Sequence, residues 1–140
     1  KAHYFVEQIK PRGHRLFVFS PRYLVWGAYD RTGVLIGGGK ASGGASSCEG
    51  VKGSCHTPKG IYRIYRMGER DCESSKYPLP NGGAWMPYCM HFHGGYAVHG
   101  HVNVPKYNAS HGCIRLQIKA AKWLNENFFE MGTRVMVLPY

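Results

Sequence analysis

Nineteen glycines and eight prolines punctuate this 140-residue chain so closely that long unbroken elements are excluded over most of it. Punctuation of that density favours turns and short strands over long helices. Between the breaks the residues are strand formers. Arg15 to Ser20 is rich in Leu, Phe and Val, and Pro21-Arg22 makes a turn. Tyr23 to Tyr29 follows, with Leu24, Trp26 and Ala28 on one side of an extended chain. Asp30 to Gly33 closes a second turn before Val34 to Ile36, which completes a β-meander. Gly37 to Gly53 reads as a loop-like excursion, and Asp71 to Gly83 as another irregular stretch. Thr57-Pro58-Lys59-Gly60 is a turn that launches the alternating strand Ile61 to Arg66.

One helix interrupts this pattern. From Gln117 to Phe129, the residues Ile118, Ala121, Leu124 and Phe128 fall three or four apart and share a face. Lys119, Lys122, Asn125 and Glu126 fall on the solvated side, and Gly132 lies just past the end as a stop. Thr133 to Leu138 then reads as a final strand. The expected class is mainly β, a β-rich α+β domain with one late helix followed by a last strand. At this length a chain buries roughly 70% of the surface it exposes unfolded, enough for one core. We therefore expect a single domain over residues 1–140.

Eighteen basic against eight acidic residues give a net charge of +10. Nucleic acid, an acidic membrane face and an acidic polymer are the ordinary partners of such a chain. The basic residues are scattered, no nucleic-acid module is recognisable, and nucleic acid is not the expected partner. Apolar runs such as Leu16 to Phe19 fall far short of the ~20 residues a membrane helix needs. Lys1 opens the chain without a methionine, and no apolar core follows a basic head. The expectation is a processed chain whose export signal is missing from it.

The chemistry concentrates between Met86 and Leu116, which holds His91, His93, His99, His101 and His111 together with Ser110-His111-Gly112-Cys113. A free thiol with a pKa near ~8.5 is mostly protonated at neutral pH and needs a base or positive surroundings. Histidine is the natural proton acceptor for it. The glycine before Cys113 lets the backbone approach a substrate, and the amides of Gly112 and Cys113 could face a developing oxyanion. A metal site is the competing reading, because His91-Phe92-His93 and His99-Gly100-His101 are His-x-His pairs that a strand would place on one face. A zinc hydrolase also needs a positioned carboxylate, and no Asp or Glu occurs from Ser74 through Asn125. We therefore expect neither a metal nor another cofactor.

Five cysteines is an odd number. If Cys113 is a working thiol, Cys48, Cys55, Cys72 and Cys89 remain, all in or beside the irregular stretches. Three pairings are open, and Cys48–Cys55 with Cys72–Cys89 is the most local. Such pairing implies an oxidising compartment.

Ala97-Val98-His99-Gly100 followed by Ser110-His111-Gly112-Cys113-Ile114-Arg115-Leu116 resembles the catalytic signature of the L,D-transpeptidases, the YkuD-type domain of bacterial cell-wall enzymes. Thr57-Pro58-Lys59-Gly60-Ile61-Tyr62, Met86-Pro87-Tyr88, Gly95 to Gly100, the helix from Gln117 and Gly132 to Val135 extend the likeness over roughly Leu16 to Leu138. The four additional cysteines resemble a periplasmic, pathogen-associated subgroup named enhanced-entry proteins.

The resemblance implies a β-sandwich-like fold and a specific reaction. Cys113 would form a thioester with the third residue of a peptidoglycan tetrapeptide stem, releasing D-alanine, before transfer to an amine (a 3→3 cross-link) or to water. His99 would be the base, with the Gly100 carbonyl orienting it. The backbone at His111, Gly112 and Cys113 would hold the oxyanion, with Ser110 beside it. Arg115 would brace the cleft or meet a substrate carboxylate, and Met86, Tyr88, Tyr96 and His101 are the candidate substrate contacts. The implied partners are stem peptides and carbapenem-type inhibitors, and the implied location is the periplasm or cell envelope of a bacterium. The stretch from His99 to Cys113 is short for the family, which leaves less room for a lid. A murein-binding relative without turnover, or a zinc hydrolase using the His-x-His pairs, are the alternatives.

Overall fold

A computed structural model describes residues 4–78 and 80–140. Lys1, on which the reading of a processed start rests, and Leu79 of the second irregular stretch lie outside the described residues. The first three strands are β1 (Leu16–Ser20), β2 (Val25–Tyr29) and β3 (Leu35–Ser42), joined as an antiparallel meander. The turn between β2 and β3 is closed by Asp30, whose carboxylate accepts hydrogen bonds from the Thr32 amide and hydroxyl and from the Val34 amide.

The glycine run that reads as a loop is strand up to Ser42. Gly37, Gly38 and Gly39 pair with Ala28, Gly27 and Trp26 in that register. Composition misleads here because the glycines make room for an indole. A Cβ at Gly39 would lie 3.0 Å from Trp26 Nε1, and one at Gly37 would lie 3.4 Å from the Trp26 ring.

The alternating stretch after Gly60 is two strands rather than one. β4 (Gly60–Arg63) pairs with the last strand β9 (Arg134–Val137), whereas β5 (Arg66–Met67) pairs with β6 (Met90–His93). Ile64 divides them: it is buried, its amide donates to Thr133 O, and its carbonyl accepts from Gly132 N. With β7 (Tyr96–Gly100) and β8 (Ile114–Leu116), the described strands form one sheet in the order β4-β9-β1-β2-β3-β8-β7-β6-β5. Its two edges are therefore consecutive in sequence, and a sheet with that order must curl. Tyr62 of β4 meets Phe92 of β6 with ring centroids 5.3 Å apart, which brings the edges together in a sandwich-like body.

The helix α1 (Ile118–Asn127) is shorter than the periodicity predicts, with Gln117 and Phe128 as its caps. Ala121, Leu124 and Phe128 are buried in the main core with Phe17, Phe19, Val98, Ile114 and Val135, so the expected face is the one that packs. Asn125 is not merely solvated: its side chain donates to Gly68 O at 2.9 Å. The helix presses on β7 so closely that a Cβ at Gly100 would lie 2.9 Å from Ile118 Cα.

Disulfides join Cys48 to Cys55 and Cys72 to Cys89, while Cys113 is free. Both bridges close loops that carry little regular structure, and loops of 7 and 17 residues correspond to about 2 and 3 kcal/mol of lost unfolded-state entropy.

Candidate active site

Strands β7 and β8 run parallel, with His99 opposite Arg115. Cys113 immediately precedes β8, so the thiol arrives beside the strand that carries His99. Cys113, His99, His101, Arg115, Ser110 and Tyr96 all line one cleft of about 710 Å³.

The loop before Cys113 is held on several sides. Ser110 donates its amide to Gly43 O, and its carbonyl accepts from Ala45 N, each at 2.9 Å. Ser110 Oγ donates to Cys113 O at 2.5 Å and accepts from Gly112 N at 3.0 Å. Thr57, almost wholly buried, donates its hydroxyl to Gly112 O at 2.6 Å and accepts from Gly44 N at 3.0 Å. Tyr140 OH accepts from Thr57 N and donates to Gly44 O, tying the far end of the chain into the same knot. Since the Gly112 amide is engaged by Ser110 Oγ, the amides of His111 and Cys113 are the better candidates for an oxyanion.

Protonation follows from burial. His99 is 4% exposed, and its Nδ1 lies 2.7 Å from Gly100 O. A carbonyl only accepts, so Nδ1 carries the proton and Nε2 is the nitrogen left to accept one. Burial lowers the His99 pKa to about 4, opposed by the Gly100 carbonyl and aided by His101, Arg115 and His91. Burial raises the Cys113 thiol to about 11, although the Ala97 amide and the Arg115 charge pull the other way. At neutral pH the cleft thus holds an uncharged thiol and an uncharged imidazole, and general-base activation on demand suits that state better than a standing thiolate. Arg115 is half-buried and below its ordinary pKa, chiefly through desolvation.

Stability should record the His99 shift. The unfolded chain takes up this proton first as pH falls, so stability is complete above about 6.5 and declines toward about 4. The expected loss at pH 4.5 is about 2 to 3 kcal/mol from this one group. Urea midpoints at pH 7 and 4.5 measure it, and equal midpoints would contradict the burial of a neutral His99.

The remaining candidates divide. Met86 lines the cleft and packs with Cys89, Ala97, Cys72 and Cys113. His101 lines it too, accepting the Asn103 amide at Nδ1. Tyr88 does not: it adopts φ 57° and packs against the main core, because its amide and the preceding Pro87 carbonyl are bonded to Glu69 O and Gly100 N. His111 turns its ring onto Tyr77, with centroids 4.3 Å apart. His91 and His93 do not share a face as a regular strand would place them. The register shifts between them, so His91 is buried beside Tyr65 and Arg66 while His93 is exposed against Tyr62 and Tyr96. Among the described residues no group of three or more His, Cys, Asp or Glu is placed to hold a metal ion.

Sequence reasoning missed Thr57, Tyr140, Tyr77 and Trp85. In the sequence Thr57 stands out only as part of a turn and of a segment that extends the family likeness, and nothing marks Tyr140. The short 99–113 connection does not leave the cleft unwalled: Gly68, Glu69, Asp71 to Tyr77 and Ala84 to Met86 line it, held by Cys72–Cys89.

The fold is that of a known family. The family model described as the L,D-transpeptidase catalytic domain (YkuD) matches residues 13–137, and the chain belongs to that family. The L,D-transpeptidase of Xylanimonas cellulosilytica (residues 123–326) superposes with a TM-score of 0.78 at 28% identity, over 96% of this chain and 65% of that one. The Stackebrandtia nassauensis enzyme gives 0.73 at 20%, over 95% and 59%. L,D-transpeptidase 3 from Mycobacterium tuberculosis, solved with a faropenem-derived adduct, gives 0.67 at 20%, over 89% and 60%. The chain therefore spans less than two thirds of each of these solved chains. No curated protein matches it. Among the described residues no helix is long and apolar enough to cross a membrane.

Proposed function

We propose that residues 1–140 act as one catalytic domain of a peptidoglycan L,D-transpeptidase with Cys113 as its nucleophile. The observation that carries this reading is the free Cys113 thiol in one cleft with His99, whose Nδ1 is fixed on Gly100 O, in a chain of this family. His99 Nε2 takes the thiol proton as Cys113 Sγ attacks the carbonyl carbon of the third stem residue. The oxygen becomes an oxyanion, for which the amides of His111 and Cys113 are the candidate donors. As the intermediate collapses, the proton returns to the departing D-alanine nitrogen and a thioester remains. A second amine then attacks it, with its proton passing to His99, giving a 3→3 cross-link; attack by water gives a trimmed stem instead. Arg115 meets a substrate carboxylate from the cleft wall. No step requires a cofactor. The two disulfides favour an oxidising compartment, and a murein substrate places the work in the periplasm or cell envelope of a bacterium.

A carbapenem should add covalently to Cys113, by analogy with the adduct that the related β-lactam faropenem leaves on the mycobacterial neighbour. Intact-mass measurement should show one adduct on the wild type and none on Cys113→Ala. Equal labelling of both would reject Cys113 as the nucleophile. Incubation with purified stem tetrapeptide then separates cross-linking from trimming, and release of no D-alanine would leave a murein-binding protein without turnover.

A further inference from the structure

The buried His91 has no part in that reaction. Its Nε2 lies 3.1 Å from the Arg66 guanidinium, on the neighbouring strand position in β5. Arginine only donates, so Nε2 accepts, and the ring proton sits on Nδ1. That Nδ1 is buried without a hydrogen-bond partner, and His91 is 6% exposed. Native proteins rarely leave such a group unpaired, so the imidazole has a use that outweighs its burial. Held neutral by its surroundings, with Tyr65 edge-on against it, His91 offers Arg66 one fixed acceptor.

Arg66 itself is exposed and lines the same cleft as Cys113 and Arg115. The ion pairs among the described residues are both made by Glu130, with Arg15 and Arg31. Glu69, Asp71 and Glu73 line the cleft without reaching either guanidinium at ion-pair distance. Arg66, Lys76 and Arg115 therefore line one cleft, and among the described residues no carboxylate there forms an ion pair with either arginine. His91 occupies part of the Arg66 donor fork, and the rest remains able to grip a carboxylate in the bidentate manner that guanidinium favours.

We propose that Arg66, propped by His91, receives a second substrate carboxylate, so that stem peptides with a free carboxyl group are preferred over their carboxamide forms. This rests on the peptidoglycan reading and names its substrate class more narrowly. Arg66 determines specificity by touching the ligand, and His91 is a positioning residue acting through Arg66.

Binding to the Cys113→Ala protein tests this without turnover. Synthetic stem tetrapeptides would carry each side-chain carboxyl either free or amidated, one position at a time. At one position the carboxylate form should bind about tenfold more tightly than the carboxamide. Adding Arg66→Gln should erase that ratio, chiefly by weakening the carboxylate peptide. His91→Gln, which keeps an acceptor, should preserve the ratio, and His91→Leu should lose it. A ratio near one at every position, or the absence of any position whose ratio is lost in Arg66→Gln, would overturn the inference. Failure of every peptide to bind would overturn the peptidoglycan reading, and this inference with it.

Discussion

His99→Gln is expected to lower kcat for D-alanine release by about two to four orders of magnitude with little change in KM. Glutamine can still donate an amide N–H to Gly100 O, so the loss would report the missing proton acceptor rather than a collapsed strand. The pH profile carries the sharper expectation. Burial holds His99 at about 4 and the Cys113 thiol at about 11, so neither group changes charge near neutrality. The wild-type kcat/KM should therefore stay level through the range where an ordinary histidine titrates, with its acid limb centred near 4. In His99→Gln that acid limb should vanish, and the residual rate should climb toward the thiol's own ionisation near 11. Steady-state rates from pH 4 to 10 in both proteins decide it. An acid limb near ~6.5, the unperturbed histidine value, would mean the base is solvated, and an unimpaired variant would mean that another group takes the proton.

Much of this arrangement is legible in the sequence because periodicity and local motifs report it directly. The meander from Leu16, the helix face of Ala121, Leu124 and Phe128, and the final strand follow from spacing alone. Where spacing and tertiary pairing disagree, pairing prevails. Gly37 to Gly39 lack strand propensity, yet they form strand because the Trp26 ring occupies the room their missing side chains leave. Ile61 to Arg66 alternates as one strand, yet the buried Ile64 divides it between opposite edges.

The candidate site is uneven in the same way. Ser110, Gly112 and Cys113 are neighbours in sequence, so their spacing displays them. Thr57 and Tyr140 reach the loop across 55 and 96 residues, through the Thr57 bond to Gly112 O and the Tyr140 bond to Gly44 O, and no local pattern encodes such contacts. His91 and His93 show the opposite failure. Their alternation is real in sequence, and a bulge in β6 cancels it in space.

Gly112→Ala should damage both stability and the reacting geometry far beyond the size of the methyl group it adds. Gly112 holds φ at +140°, a region almost closed to residues with a side chain. An added Cβ would also lie 2.3 Å from Tyr96 Cε1, so the Tyr96 ring would have to leave the cleft wall it forms. Backbone strain and overpacking each cost about 1 to 3 kcal/mol, and together about 2 to 6 kcal/mol is expected. The loop cannot relax freely, because Thr57 grips the Gly112 carbonyl and Ser110 grips its amide. Strain should therefore pass along the chain to Cys113 and its amide. Urea unfolding should show the stability loss, and carbapenem acylation of the surviving folded protein should slow by a further factor of about a hundred, the cost of a misplaced reacting group. Combining the change with Tyr96→Ala separates the two causes: it removes the clash but not the strained φ, so stability should return only in part. Full recovery in the double variant would show that the ring, and not the backbone, demands glycine at this position.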